Sequence, residues 1–197
     1  MAIRAPLTRE DWIKAAQQVL VDSGVDAVRV DNLAKEMKIT RGSFYYHFKS
    51  RNELLEGILV DWRMRATESV IKHLSDTRTT PFQRLHRLLE LPFHGVRAKE
   101  AASIEMGIRA WARRDRQARQ AIDEVDNHRL RYIEGLLEQI GVGALEAVDR
   151  AQLIYAYQLS LSLVNQDLSQ EKLLEQNARI IRIALPEQLR LSELASA

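Results

Sequence analysis

The sequence contains no cysteine. That excludes disulfides, thiolate-bound zinc, iron–sulfur clusters and thiol catalysis, and nothing in the chain calls for an oxidising compartment. Only 8 glycines and 4 prolines punctuate 197 residues, so long helices are expected rather than many turns. Neither sign of charge dominates, the net being +2. Long apolar runs are missing too. The longest uncharged stretch, AQLIYAYQLSLSLVNQ at 151–166, is shorter than the ~20 residues a spanning helix needs, and it carries Gln and Asn. The opening MAIRAPLTREDW lacks the apolar centre of a secretory signal. A soluble cytoplasmic protein without membrane association is the expectation. A composition of 46% hydrophobic and 28% charged residues suits a packed core and argues against disorder.

The small positive charge is unevenly spread. Residues 1–51 hold 9 Lys or Arg against 6 Asp or Glu, and the remainder hold 20 against 21. A basic excess in a short N-terminal segment points to a polyanionic partner, although a few solvated lysines give the same arithmetic.

Helix signals follow one another along the chain. Thr8 caps a first helix, with Glu10 and Asp11 in its first turn and an apolar stripe at Ile13, Ala16 and Leu20; Gly24 ends it. A short second helix is expected from about Val30 to Lys38, burying Leu33, Ala34 and Met37. Thr40 is placed to cap a third, two-turn helix from Arg41 to about Phe48. Ser50 and Glu53 form an S-x-x-E capping box for a long fourth helix reaching Leu74, with a seam at Leu55, Leu59, Trp62, Ala66 and Val70. After a polar linker, Ser75–Thr80, further helices are expected at about Pro81–Leu91, Lys99–Arg113, Arg116–Ile140, Leu145–Asp167 and Glu171–Leu185. Pro92 breaks one and Pro186 stops the last. The fold class is all-α, with about nine helices.

The chemistry is concentrated in residues 29–51, RVDNLAKEMKITRGSFYYHFKSR. Two short helices joined by a tight turn make a helix-turn-helix, whose second helix can lie in a DNA major groove. At ~100° per residue, Phe44 and Phe48 share the inner side of that helix. Gly42, Tyr46 and Lys49 lie opposite, Ser43 and Tyr45 flank them, and His47 sits at one edge. Hydroxyls, an ammonium and helix N-terminal amides are groups that hold phosphates, and Gly42 lets the backbone come close to a partner. A Tyr-Tyr pair also occurs as plain half-buried packing; the neighbouring helix and the basic flanks favour the DNA reading.

The segment TRGSFYYHFKSRNELL, residues 40–55, resembles the signature of the TetR family of transcriptional regulators. LAKEM and the segment from Thr8 to Gly24 resemble that family's preceding helices. The resemblance implies an N-terminal helix-turn-helix domain over 1–50, a helical regulatory and dimerisation domain over 51–186, and a tail over 187–197. It implies mixed or base-edge contacts from Arg41, Ser43 and Tyr46, and phosphate contacts from Tyr45, His47, Lys49 and Arg51, beside Thr40 and Gly42. Two positions depart from the family pattern. Arg29 stands where a capping Thr or Ser is usual, and its charge is within reach of a phosphate. Lys38 replaces the usual turn glycine, which costs roughly 1 kcal/mol if the residue is left-handed. The implied partners are double-stranded DNA with a palindromic operator, a second copy of the chain, and a small-molecule effector of unknown identity. The implied activity is repression relieved by that effector.

The body supports pairing on its own terms. The helix containing 151–166 is apolar nearly all round, and such a helix needs burial on more than one side. Leu153, Tyr157, Leu161, Val164, Leu174 and Ile181 are the interface candidates, in a two-fold four-helix arrangement. Central helices of a monomer are the alternative. Trp62, Met106, Trp111 and Tyr132 are candidates to line an effector cavity, with core packing as the competing role. His86, Glu90 and His94 have helical spacing suited to a metal, but Pro92 interrupts it. No zinc-protease, nucleophile-elbow or phosphate-loop motif occurs. Neither an enzyme nor a metal or cofactor is expected. A helical protein-binding adaptor without DNA affinity is the other reading, and it leaves the polar face of the third helix without a purpose.

Overall fold

The computed structural model describes residues 7–74, 79–93, 95–164 and 169–185. Among these residues there are helices and turns and no strands. The expected ends at Leu74–Thr80 and Gln166–Asp167, and the tail beyond Leu185, lie wholly or partly outside the described residues.

The first helix, α1 (Arg9–Ser23), begins on a full capping box. The Asp11 amide donates to Thr8 Oγ1 at 3.2 Å, and the Thr8 amide donates to Asp11 Oδ2 at 2.8 Å. Two amides with no partner inside the helix are thereby satisfied. Trp12, Ile13, Ala16, Gln17 and Leu20 form its buried side. Gly24 closes it at φ +80°, a conformation that costs glycine little. A 3₁₀ turn at Val25–Ala27 leads to α2 (Val30–Glu36), a turn, and α3 (Arg41–His47).

The turn between α2 and α3 is a Schellman motif, in which the Ile39 amide donates to Ala34 O (2.9 Å) and the Lys38 amide to Lys35 O (3.1 Å). Lys38 sits at its left-handed position with φ +57°. The departure from glycine therefore carries the expected strain of about 1 kcal/mol. Thr40 stands at the N-cap of α3, but its side chain makes no capping bond. Its carbonyl accepts the Ser43 amide instead.

The long fourth helix divides into α4 (Arg51–Arg63), a π-helical turn at Met64–Glu68, and α5 (Ser69–Leu74), which follow without a break. Counted as one, they leave nine helices among the described residues. Ser50 Oγ accepts the Glu53 amide as expected. Glu53 does not complete the box on Ser50. Its carboxylate accepts the Lys49 amide at 2.7 Å, one residue further back. Then come α6 (Pro81–Glu90) with a Thr80–Gln83 capping box, a 3₁₀ turn at Leu91–Phe93 around Pro92, α7 (Gly95–Ala112), α8 (Arg116–Ile140), α9 (Ala144–Leu163) and α10 (Gln170–Ala184).

Packing separates the chain into two compact units. Unit one takes the described residues up to Ala66 together with Ser103–Asp123; unit two takes Thr67–Ala102 and the chain from Glu124. In unit one, Trp12 meets Phe44 edge-on at 5.3 Å and Phe44 stacks on Phe48 at 5.4 Å, while the Arg9 guanidinium lies 4.7 Å from the Phe48 ring centre. Val28, Leu33, Leu54 and Ile58 complete this core. The buried Asp61 carboxylate accepts from Gln17 Nε2 (2.9 Å) and Arg65 Nε (2.7 Å), so its charge is paired rather than stranded. In unit two, Leu85, Leu89, Ile133, Leu136, Leu137, Ala151, Ile154, Tyr155 and Ile181 form the core. No helix among the described residues is long and apolar enough to cross a membrane.

Candidate nucleic-acid interface

The wheel drawn on α3 holds in three dimensions. Phe44 is fully buried and Phe48 nearly so, which fixes the rotation of the helix on α1. Tyr46, on the opposite side, is 87% exposed and Tyr45 54% exposed. Tyr45 still packs edge-on against Phe44 at 5.2 Å, whereas Tyr46 stands almost wholly in solvent. A Cβ at Gly42 would find only Thr40 Oγ1, at 3.7 Å. The surface there is open, and backbone rather than side chain is presented. Ser43 is half-buried, Lys49 exposed, and half-buried His47 lies edge-on to Tyr46 at 5.0 Å.

The cations around this face are held in different ways. Arg41 opens α3, and its Nε makes a 2.9 Å ion pair with Asp31 Oδ1 on α2. Tyr45, one turn along, acts on the same guanidinium, and Tyr45 first and Asp31 second hold the Arg41 pKa above its ordinary value. Arg29 is exposed, and its Nε donates to Asp26 O at 3.1 Å. It takes the N-cap position of α2 with no side-chain capping bond.

Arg51 is placed differently from its neighbours. It is half-buried, donating from Nε to Val28 O and from Nη2 to Val25 O, both at 2.6 Å. These carbonyls belong to the 3₁₀ turn and the residues after it. Arg51 thus ties the start of α4 to the link between α1 and α2, and two of its nitrogens are committed to the protein. Sequence reasoning had no sign of this, because the partners lie 23 and 26 residues away. It also missed Asp31 as the partner of Arg41; opposite charges ten positions apart face one another only because the turn folds α3 across α2.

The candidates in the body are distributed over both units. Trp62, Met106 and Trp111 belong to unit one and Tyr132 to unit two. Trp62 and Trp111 are buried, Met106 and Tyr132 half-buried. The Trp62 indole N–H and the Tyr132 hydroxyl are buried atoms without a hydrogen-bond partner. Of the interface candidates, Leu153, Val164 and Leu174 are exposed, and Tyr157 and Leu161 half-exposed. Ile181 is a correction: at 2% exposed it lies inside the core of unit two and is not on the surface. Its helix is apolar on the side that packs into its own chain. The structure adds Leu145, Val148 and Leu163 as exposed apolar side chains on α9. His86 packs on Phe82 at 4.8 Å, and burial lowers its pKa while Glu90 opposes the shift; His94 lies outside the described residues.

An anchored short helix, following a Schellman turn and presenting tyrosine, serine and backbone outward with cations at its edges, defines the helix-turn-helix class of DNA-binding domains. Residues 13–58 match the family model described as bacterial regulatory proteins, tetR family. Over those residues the chain is similar to that family's N-terminal DNA-binding segment. It is 28% identical over 96 residues to the HTH-type transcriptional repressor KstR2 of Mycolicibacterium smegmatis, covering 47% of this chain and 45% of that one. The matched region thus spans less than half the length of that curated relative. The fold extends further. Reduced NemR of E. coli superposes with a TM-score of 0.71 at 17% identity, covering 90% of this chain and 97% of that one. A protein from Saccharomonospora viridis, described as a putative transcriptional regulator and solved in complex with choline, gives a TM-score of 0.70 at 18% identity, covering 88% and 95%.

Proposed function

We propose that this protein is a sequence-specific DNA-binding repressor, acting as a cytoplasmic homodimer on a palindromic operator and released by a small-molecule effector. The observation that carries the DNA step is the outer face of α3. An 87%-exposed tyrosine and an open glycine stand on the outer side of a helix whose inner side is locked by Phe44 and Phe48, so they are free to meet a partner. Arg41, Ser43 and Tyr46 read bases; Arg29, Thr40, Tyr45, His47 and Lys49 hold the backbone, with the Gly42 main chain close to the groove wall. Arg51 supports this surface from behind.

Residues 1–50 are the domain that touches DNA and 51–186 the regulatory and pairing domain. This division follows the roles of the residues, whereas the packing unit around α3 extends to Ala66. Pairing is supported by the exposed Leu153 and Leu163 on α9 and Val164 just after it, and two copies present two recognition helices to half-sites one turn of DNA apart, about 34–36 Å. Effector binding is supported by a buried polar atom of unit two with nothing to bond, the Tyr132 Oη, since such an atom in a native core calls for a partner. The choline held by the Saccharomonospora viridis protein shows that a similar fold accommodates a small organic ligand.

Selection from a randomised duplex library, followed by mobility shifts on the enriched sequence, tests the reading. A palindrome with half-sites one turn apart, bound with steep salt dependence, is the expected result. Absence of any enrichment, with no salt-dependent affinity for duplex, would leave the adaptor reading in its place.

A further inference from the structure

Asp31 is an acid on a surface that, on the reading above, approaches phosphate. A carboxylate there repels DNA, so its presence needs a compensating role. One ordinary role is available. Asp31 occupies the second position of α2, where the helix dipole favours an acid. The geometry shows something more specific. α2 has no side-chain capping bond from the residue before it, and Asp31 Oδ1 reaches across to Arg41 Nε on the next helix.

We infer that Asp31 is a specificity-determining positioning residue, which holds the Arg41 guanidinium in a fixed orientation at the entry of the recognition helix. The inference rests on the DNA-binding reading and deepens it. A free arginine has several rotatable bonds, and fixing them on binding carries an entropic cost. Here the group is held before any DNA arrives, with Asp31 engaging Nε at 2.9 Å across the turn. Arg41 has five N–H donors. With the Arg41 side chain still 61% exposed, the remaining donors are presented to solvent as a planar edge. Such an edge matches the two acceptors of a guanine in the major groove. The carboxylate thereby weakens attraction to any phosphate and sharpens the choice of base. An exposed ion pair adds little to stability, so its effect belongs to recognition and not to folding.

The test uses the full-length chain and two probes: the duplex enriched by the wild type from a randomised library, and a scrambled duplex of the same composition. Asp31→Asn removes the charge with almost no change of shape. The expected result is a loss of about 5- to 100-fold on the enriched duplex, the range of one degraded bidentate base contact. Affinity for the scrambled duplex stays level or rises a few-fold as repulsion is relieved. In an Arg41→Ala background the same substitution must cost nothing on the enriched duplex. Equal gains on both duplexes would reduce Asp31 to a repelling charge and overturn the inference. So would equal losses accompanied by a lower melting temperature, which mark a helix-dipole role, or no change on either duplex. A wild type that enriches no sequence would instead refute the DNA-binding reading itself, so the two failures are distinguishable.

Discussion

Arg51 offers a direct contest between two uses of one side chain. The family resemblance implies a phosphate contact, whereas the structure has its guanidinium clasping Val25 O and Val28 O at 2.6 Å. Hydrogen bonds from a charged donor contribute about 1.5–3 kcal/mol each, and two sharing a group are not additive. Arg51→Ala should therefore cost about 2–3 kcal/mol, since Val28 is fully buried and its carbonyl has limited access to water. For a chain of this size that is a fall of roughly 4–12 °C in melting temperature. Arg51→Lys separates the roles. Lysine keeps the charge but cannot reach two carbonyls with a planar fork. As a clasp, Arg51→Lys should lose most of the stability lost by Arg51→Ala while leaving the salt slope of DNA binding unchanged. Thermal unfolding by circular dichroism and DNA titrations over a range of salt measure both. A lysine variant as stable as the wild type, or an alanine variant that melts normally and loses one unit of salt slope, would refute the clasp.

Lys38→Gly should raise stability by about 1 kcal/mol, because the residue sits at φ +57°, and a denaturant melt reads the change. Leu163→Glu should yield folded monomers by sedimentation: the side chain is 70% exposed in the single chain, so burial is lost only in the dimer. Monomeric wild type at tens of micromolar would contradict the pairing. Hydrogen bonds from the Thr8 amide and hydroxyl hold the Asp11 pKa below its ordinary value. Its contribution to stability is therefore present above the unfolded value and lost as pH falls through the folded one. Asp11→Asn should destabilise at neutral pH, with the difference closing as pH falls through the lowered folded-state value.

Local signals were the legible ones. Thr8, Gly24, Lys38 and Ser50 act where their chemistry predicts, because caps and left-handed turns depend on neighbours within a few residues. The outward side of α3 followed from the spacing of Phe44 and Phe48. What remained hidden depended on distant chain or on small registers. The π turn at Met64–Glu68 adds one residue to a helical turn without changing composition, so the seam through Trp62 and Ala66 gave no sign of it. Ile181 was read as interface because apolarity alone does not say whether a helix side meets its own chain or a second copy. Arg51 and Asp31 acquired their partners only through the crossing of helices.

The central claim is that the outer face of α3 distinguishes DNA sequences while its flanks hold the backbone. Equilibrium titration of the wild type, Tyr46→Ala and Lys49→Ala on the enriched and scrambled duplexes over a range of salt tests it most directly. Tyr46→Ala should lose roughly 1–3 kcal/mol on the enriched duplex and little on the scrambled one. Lys49→Ala should weaken both alike and flatten the salt slope by about one unit. Equal losses on both duplexes for Tyr46→Ala, or no loss at all, would contradict the account.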